Sequence, residues 1–380
     1  MKILVINPTF KSGLSQYTYF FCKALDEKGL DFVLLTTRGE NEIDFFKPKF
    51  KVYKDLYQIN QGSYLANAWY YGKNKNIIRK IVDEYRPDVI HFQGLLKPDG
   101  DYEFIEYLQN RGNKKIKIVY TAHYILPYEA SLKHKQIYSR IYNKVNQIIV
   151  HAEQNKDELA AGFGVPREII TVIPYGNLIE IAQKSPELNL FEARSLLGLE
   201  KDDFCLLFFG AIRDYRGLDV LLKSMLYLKE HPKIKLMVVG EMQQKSICND
   251  LIDVLKIRNA VSFYLEYIPI KYIGQYFYAS NLVVLPYKKI YQSIAVQLAF
   301  AFNRPVLSTN VGGIAEVIEN DKNGWLVQPN NPKALAEKIL ELYKQPRQEI
   351  NQVGQTAYQI AKQKYTWEET AKKTLIVYKK

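Results

Sequence analysis

The residues best suited to chemistry fall at the ends of short apolar runs. In Leu206-Leu-Phe-Phe-Gly210-Ala-Ile-Arg213-Asp-Tyr-Arg216-Gly217, two arginines three positions apart stand between glycines and ahead of an amphipathic helical pattern. Arginines beside a helix N-terminus make an oxyanion site, each charge-assisted hydrogen bond contributing about 1.5–3 kcal/mol, and a diphosphate is the ligand that fits. A second anion site is expected where Leu285-Pro-Tyr-Lys288-Lys289-Ile-Tyr-Gln292-Ser293-Ile294 runs into a helix. Ser293 has the chemistry of an N-cap, the N–H groups of Ser293 and Ile294 would face an anion, and Lys288 and Lys289 would reinforce them.

Histidines end two further runs. His123 closes Lys117-Ile-Val-Tyr-Thr-Ala-His123, and His91 lies in Val89-Ile-His-Phe-Gln-Gly94. The end of a buried parallel strand is where ligands meet this kind of sheet, so His123 is a candidate functional residue and His91 a wall residue of the same site. The first strand leads through Asn7-Pro-Thr-Phe-Lys-Ser12-Gly13 into an amphipathic helix, and Gly13 would let backbone approach a ligand at that helix start.

These residues need a frame that brings strand ends together. Apolar runs of strand length alternate with helical-length amphipathic segments along the whole chain, which predicts parallel sheets with crossover helices. Strands are expected near 2–8, 32–37, 88–93, 116–123, 147–152 and 170–175, then near 205–210, 235–240, 261–266, 282–287, 305–310 and 324–329. The reading is an α/β protein of two doubly wound domains, 1–180 and 181–360, facing across a cleft, with 177–189 as the linker, a helix at about 333–346 and a C-terminal segment 361–380.

The 380 residues carry 52 Lys and Arg against 40 Asp and Glu, a net charge of +12. The excess is spread over both halves, which leaves nucleic acid, an anionic membrane surface or phosphorylated small molecules as partners. No zinc finger or RNA-binding motif occurs, so nucleic acid is not expected. Three cysteines, Cys22, Cys205 and Cys248, far apart and in apolar contexts, support neither a disulfide framework nor a zinc site. No apolar run approaches the roughly 18 residues of a transmembrane helix, and a strand occupies the place of a signal peptide. A cytoplasmic protein, peripheral on the cytoplasmic membrane face if membrane-bound, is the expectation. Two segments favour such contact: aromatics adjoin Lys73, Lys75, Arg79 and Lys80 after Trp69, and 131–150 carries Lys133, Lys135, Arg140 and Lys144 with no acid. Four such cations at an anionic bilayer would contribute about 4 kcal/mol.

Taken in order, Ser12-Gly13, His123, Val172-Ile-Pro-Tyr-Gly176-Asn, Gly210…Arg213-x-x-Arg216-Gly217, Pro305-Val…Val311-Gly-Gly…Glu316 and Gly324-Trp-Leu-Val resemble a GT-B-fold retaining glycosyltransferase of family 4. The resemblance implies an N-terminal domain for the acceptor, a C-terminal domain for a nucleotide-diphosphate sugar, and a last helix that crosses back to the N-terminal domain. It places Gly13 near the donor phosphates, His123 on the transferred sugar, Arg213 and Arg216 on the diphosphate, and the backbone of Tyr267-Ile268-Pro269 along the nucleobase. His91 would lie on the acceptor side. The family's two glutamates, eight positions apart, align with Ile290 and Leu298, which offer a hydroxyl no hydrogen bond; Gln292 and Ser293 stand between them as amide and hydroxyl substitutes. Asp99-Gly-Asp101 is similar to the metal-holding pair of the other glycosyltransferase fold, but after Lys97-Pro98 it reads as a turn cluster. No metal or other cofactor is implied, only the nucleotide sugar as co-substrate and a glycan or lipid-linked acceptor.

Two other classes compete. A nicotinamide oxidoreductase would need a glycine fingerprint after the first strand and an acid at the end of the second, where Thr36-Thr37-Arg38 stands. A non-catalytic nucleotide-sugar or glycan-binding protein would account for Ile290 and Leu298.

Overall fold

The computed structural model describes residues 1–9, 13–39, 42–59, 63–111, 115–242 and 257–380. Ser12 and Cys248, named above, lie outside the described residues. The chain divides into two compact units, Met1–Gly176 with Trp367–Lys380, and Asn177–Thr366. The divisions fall at 176 and 366, against the 180 and 360 expected.

In unit 1 the elements run β1 (Lys2–Ile6), α1 (Gly13–Glu27), β2 (Asp31–Thr37), β3 (Val52–Leu56), α2 (Tyr64–Tyr85), β4 (Val89–Phe92), α3 (Pro98–Gln109), β5 (Lys117–Thr121), α4 (Leu132–Tyr142), β6 (Gln147–Val150), α5 (Glu153–Phe163) and β7 (Ile170–Val172). The strands form one parallel sheet in the order β3-β2-β1-β4-β5-β6-β7. The order reverses between β1 and β4, and the crevice beyond their carboxyl ends is where such a sheet takes ligands. Strand β3 was absent from the sequence reading. It is the edge strand, and Val52-Tyr-Lys-Asp-Leu56 buries only its last residue, so it carries the charged, half-solvated pattern of an edge rather than an apolar run.

Unit 2 continues with α6 (Ile179–Lys184), α7 (Leu190–Leu196), β8 (Phe204–Phe209), α8 (Leu218–Tyr227), β9 (Ile234–Val239), β10 (Val261–Tyr264), α9 (Ile270–Ala279), β11 (Leu282–Leu285), α10 (Ile294–Ala301), β12 (Val306–Thr309), β13 (Gly324–Val327), α11 (Pro332–Lys344) and α12 (Arg347–Lys364). Its parallel sheet has the order β10-β9-β8-β11-β12-β13, with the reversal between β8 and β11. Every residue of β8, Phe-Cys-Leu-Leu-Phe-Phe, is buried, because helices cover both faces of the sheet. Its core joins β8 and β9 to Leu221, Leu222 and Met225 of α8 and to Leu335 and Ile339 of α11.

The stretch 177–189, expected as a linker, instead holds α6 with Ile179 and Ile181 buried, and ends on the Asn189 capping box that starts α7. Asn177 is tied to unit 2, its N–H donating to the Tyr365 carbonyl at 2.7 Å. The last helix, α13 (Trp367–Lys379), belongs to unit 1, where the Trp367 ring lies 5.0 Å from Tyr17 and 5.6 Å from Phe20 of α1. Asp99 and Asp101 are not in a turn cluster: Pro98 sits at the start of α3 and both aspartates lie in its first turn, where carboxylates complement the helix dipole. Among the described residues no helix is long and apolar enough to cross a membrane.

Candidate functional site

At the carboxyl edge of unit 2 the two switch-point loops are knitted together. After β8 the chain turns through Gly210 to a 3-10 turn, Asp214–Arg216, and Gly217 opens α8 with φ 72°. A Cβ at Gly217 would stand 1.9 Å from the Pro286 carbonyl oxygen, so only glycine lets this loop approach the one after β11. Lys288 N–H donates to the Tyr215 carbonyl at 2.8 Å, which locks the two loops.

Arg216 packs its guanidinium against Gly210, where a Cβ would lie 2.2 Å from Nη1, and Nη1 donates to the Phe209 carbonyl at 3.1 Å. The guanidinium carbon is 5.8 Å from the centre of the Tyr287 ring. Arg213, at the head of the 3-10 turn, is exposed. The structure thus brings both arginines to the expected edge, one fixed beside backbone and one exposed.

Ser293 is the N-cap of α10: its hydroxyl accepts from the Val296 N–H at 3.4 Å and lies 2.7 Å from the Tyr287 hydroxyl. One expectation is corrected here. The Ser293 N–H does not stand open to an anion, because it donates to Oε1 of Gln292 at 2.9 Å; the Gln292 amide folds back over the helix start. The adjacent Ile294 begins the helix. Lys288 is also not a bare cation, since its Nζ lies 2.7 Å from Asp214 Oδ1 and 2.9 Å from Asp219 Oδ1. Burial lowers the pKa of this ammonium, and the hydrogen bonds it donates to Asp214 and Asp219 outweigh that, so it ends above its ordinary value. Lys289 lies 5.6 Å from the Tyr291 ring centre. Ile268 is buried in the connection from β10 to α9, and Ile290 and Leu298 are buried apolar residues of the unit.

The carboxyl edge of unit 1 is built differently. His123 follows β5 and is part-buried, whereas His91 in β4 and His151 just after β6 are buried. His91 does not form an open wall: Nδ1 lies 2.6 Å from the Tyr378 hydroxyl of α13, and Nε2 lies 2.7 Å from the Thr121 hydroxyl. Gln93 bridges the strands, its side-chain amide 3.2 Å from His91 Nε2 and 3.1 Å from His123 Nε2. His123 Nδ1 in turn lies 2.9 Å from the Tyr175 hydroxyl and 3.0 Å from His151 Nε2. His151 Nδ1–H donates to the Ile173 carbonyl at 2.8 Å.

Burial pushes all three imidazoles toward the neutral form, His91 to about 3 and His151 to about 4. His123 is held well below its ordinary value by burial and then by its two histidine neighbours. Gly13 is the first residue of α1. Sequence reasoning missed His151, Gln93, Tyr175 and Tyr378. The strand-end rule that selected His123 also applies to His151, one residue beyond β6, and was the signal available.

Two parallel sheets, each reversing its strand order beneath loops of this kind, define a two-domain α/β protein of the GT-B class. Solved structures agree at the level of fold. An Anabaena protein, HepE, crystallised with UDP-glucose, superposes with a TM-score of 0.80 at 18% identity, covering 99% of each chain. Sucrose-phosphate synthase from Thermosynechococcus elongatus gives 0.80 at 16% identity, covering 100% of this chain and 98% of that one.

Residues 191–360 match the family model of glycosyl transferases group 1, and residues 11–176 match that of glycosyltransferase family 4. The chain belongs to the group 1, family-4-like glycosyltransferases. Curated relatives include a glycosyltransferase of Methanocaldococcus jannaschii, 26% identical over 243 residues, or 61% of this chain and 60% of that protein. Another is a D-inositol 3-phosphate glycosyltransferase of Paenarthrobacter aurescens, 26% identical over 63% of this chain and 59% of that protein. The chain thus matches about three-fifths of the length of these relatives.

Proposed function

We propose that the protein transfers a hexosyl group from a nucleotide-diphosphate sugar to a hydroxyl of a glycan or lipid-linked acceptor, with retention at the anomeric carbon and without a metal, in polysaccharide or glycoconjugate biosynthesis. The observation that carries this reading is the Arg216 guanidinium lodged beside Gly210 at the switch point of unit 2. Charge that grows on a departing diphosphate is stabilised there by Arg216 and Arg213, with the α10 helix start adding its partial positive charge. Such preorganised charge does what a metal would otherwise do. His123 hydrogen-bonds a sugar hydroxyl, and the departing phosphate takes the acceptor's proton.

A lipid-linked acceptor is supported by the surface of unit 1. Tyr64 and Leu65 are each 78% exposed and Trp69 is 53% exposed on one face of α2, with Lys73 one turn further on; Leu132, 82% exposed, starts α4 beside Lys133 and Lys135. The basic residues of 131–150 are not all free for lipid, since Lys144 pairs with Glu106 and Arg140 lies 4.3 Å from the Tyr102 ring centre. Lys133 and Lys135 remain in that segment, and with Lys73 of α2 they give about 3 kcal/mol toward an anionic bilayer, a reversible association in the cytoplasm.

The test is thermal stabilisation by UDP, ADP and GDP sugars, followed by release of nucleoside diphosphate on adding an acceptor extract. A uridine donor is tried first because HepE was crystallised with UDP-glucose. One donor is expected to raise the melting temperature and to turn over; no response to any donor at millimolar concentration overturns the reading. Binding without turnover favours the second reading, a non-catalytic binding protein, which the apolar Ile290 and Leu298 motivate.

A further inference from the structure

We infer that His151 is a positioning residue that fixes the proton of His123 on Nδ1, leaving Nε2 as the hydrogen-bond-accepting atom of that ring. The argument counts protons. A carbonyl oxygen only accepts, so the 2.8 Å contact with Ile173 O requires the proton of His151 on Nδ1. A neutral imidazole then has a bare Nε2, and His123 Nδ1 lies 3.0 Å from it. Two bare nitrogens do not approach so closely, so His123 Nδ1–H must donate to His151.

Among the described residues no carboxylate is hydrogen-bonded to either ring to stabilise a cation, and His123 Nε2 is left with its lone pair. The structure sets Gln93 Oε1 3.1 Å from this nitrogen; a half-turn of the amide exchanges its oxygen and nitrogen, and a bare Nε2 requires that turned orientation, with the NH2 group facing it. In that orientation the amide oxygen takes the place of the amide nitrogen 3.2 Å from His91 Nε2 and accepts from its N–H, with the Thr121 hydroxyl 2.7 Å from the same nitrogen. His91 Nδ1 completes the series by accepting from the Tyr378 hydroxyl at 2.6 Å. Along the line from Ile173 through His151, His123, Gln93 and His91 to Tyr378 each contact becomes one donor against one acceptor, with the Tyr175 and Thr121 hydroxyls as second acceptors of His123 Nδ1–H and His91 Nε2–H, and the polarity of that line follows from a single carbonyl.

The chemical consequence lies at Nε2 of the part-buried His123. A ligand hydroxyl that replaces the Gln93 amide meets an acceptor, and a ligand acceptor is rejected. His151 therefore decides which kind of sugar oxygen His123 can hold. The structural part of this inference stands alone, while its effect on turnover rests on the transfer proposed above.

The experiment is 15N NMR of the full-length protein labelled at histidine. A pyrrole-type Nδ1 and a pyridine-type Nε2 are expected for His123 across neutral pH. The reverse assignment, or two pyrrole-type nitrogens, overturns the inference. In His151→Leu the proton should move to Nε2, since the Tyr175 hydroxyl 2.9 Å away can donate to a bared Nδ1. In His151→Gln, whose amide can donate to Ile173 and still accept from His123, it should stay; an unchanged tautomer in the Leu variant overturns the inference. If the Leu variant does not fold, the wild-type and Gln spectra decide. For transfer, His151→Leu is expected to lower kcat about tenfold or more with KM for the donor changed less than about threefold, and His151→Gln to recover most of it. Absence of transfer in the wild type would count against the proposed function and leave the tautomer result intact.

Discussion

The two units place their candidate residues at the same topological position and equip it with opposite chemistry. Unit 1 surrounds His123 with neutral, mutually hydrogen-bonded groups: His91, Gln93, His151, Tyr175 and Tyr378. Unit 2 surrounds its edge with formal charge, Arg213, Arg216 and Lys288 against Asp214 and Asp219. A parallel sheet supplies only the place where strand ends converge; what is recognised there depends on the loop residues. A neutral network suits hydroxyl groups, whose hydrogen bonds have direction and no net charge. Arginines and a helix start suit a phosphate, whose charge has to be matched.

The comparison breaks most visibly in acid. His91 and His151, both buried, and the part-buried His123 stay neutral when folded, whereas in the unfolded chain each binds a proton below pH 6.5, so their contribution to stability is lost as pH falls from 6.5 toward the folded values, about 4 for His151 and about 3 for His91. Asp101 acts in the opposite sense. Burial pushes its carboxyl up to about 7, so between pH 4 and 7 the folded state binds the extra proton. Three histidines less one aspartate leave two protons, a slope of about 3 kcal/mol per pH unit below pH 6. Unit 2 has one histidine among its described residues, His231, and it is not buried. Hydrogen exchange read by mass spectrometry is expected to show unit 1 opening near pH 5 while unit 2 stays protected; simultaneous opening would mean that the histidine network does not set the acid limit.

How much of this was legible in the sequence follows the same division. The strands of both sheets stand out because β1, β8 and β11 are buried on both faces and read as unbroken apolar runs. Strand β3 does not, because an edge strand tolerates Lys54 and Asp55. Helix α6 was hidden by its length, six residues with only two of them apolar and buried. The charged site was readable because Arg213, Arg216 and Gly217 lie within five positions of one another and their chemistry is local. The neutral site was half readable. His123 and His91 announce themselves at strand ends, yet the partner of His91 is 287 positions away in α13, and no spacing rule points to Tyr378.

Two substitutions should separate the units in one assay. His123→Ala is expected to lower turnover about 100-fold while nucleoside-diphosphate affinity changes less than about threefold, since the ring offers hydrogen bonding and no charge. Arg216→Ala is expected to weaken that affinity roughly 10- to 100-fold, the loss of one charge-assisted contact or two. Calorimetry with the nucleoside diphosphate and initial-rate kinetics with the donor read both effects. Should the two variants lose affinity equally, the division into a hydroxyl-binding and a phosphate-binding edge fails.

The smallest effect is the most specific to unit 2. Lys288 is held by two carboxylates, and one of them, Asp214, has a side chain 79% exposed, in the 3-10 turn that ends at Arg216. A lysine shared between Asp214 and Asp219 presents a net charge of −1 to an incoming phosphate. Asp214→Asn removes one negative charge beside Arg216 and leaves the Lys288–Asp219 pair at 2.9 Å in place. Exposed ion pairs contribute up to about 1 kcal/mol, so affinity for the nucleoside diphosphate is expected to rise by up to about fivefold at low ionic strength. The gain should shrink as salt is raised to 0.5 M, because the freed charge acts through solvent. A fall in affinity would mean that Asp214 serves the edge by fixing the loop around Arg216, and that unit 2, like unit 1, depends on internal pairing more than on exposed charge.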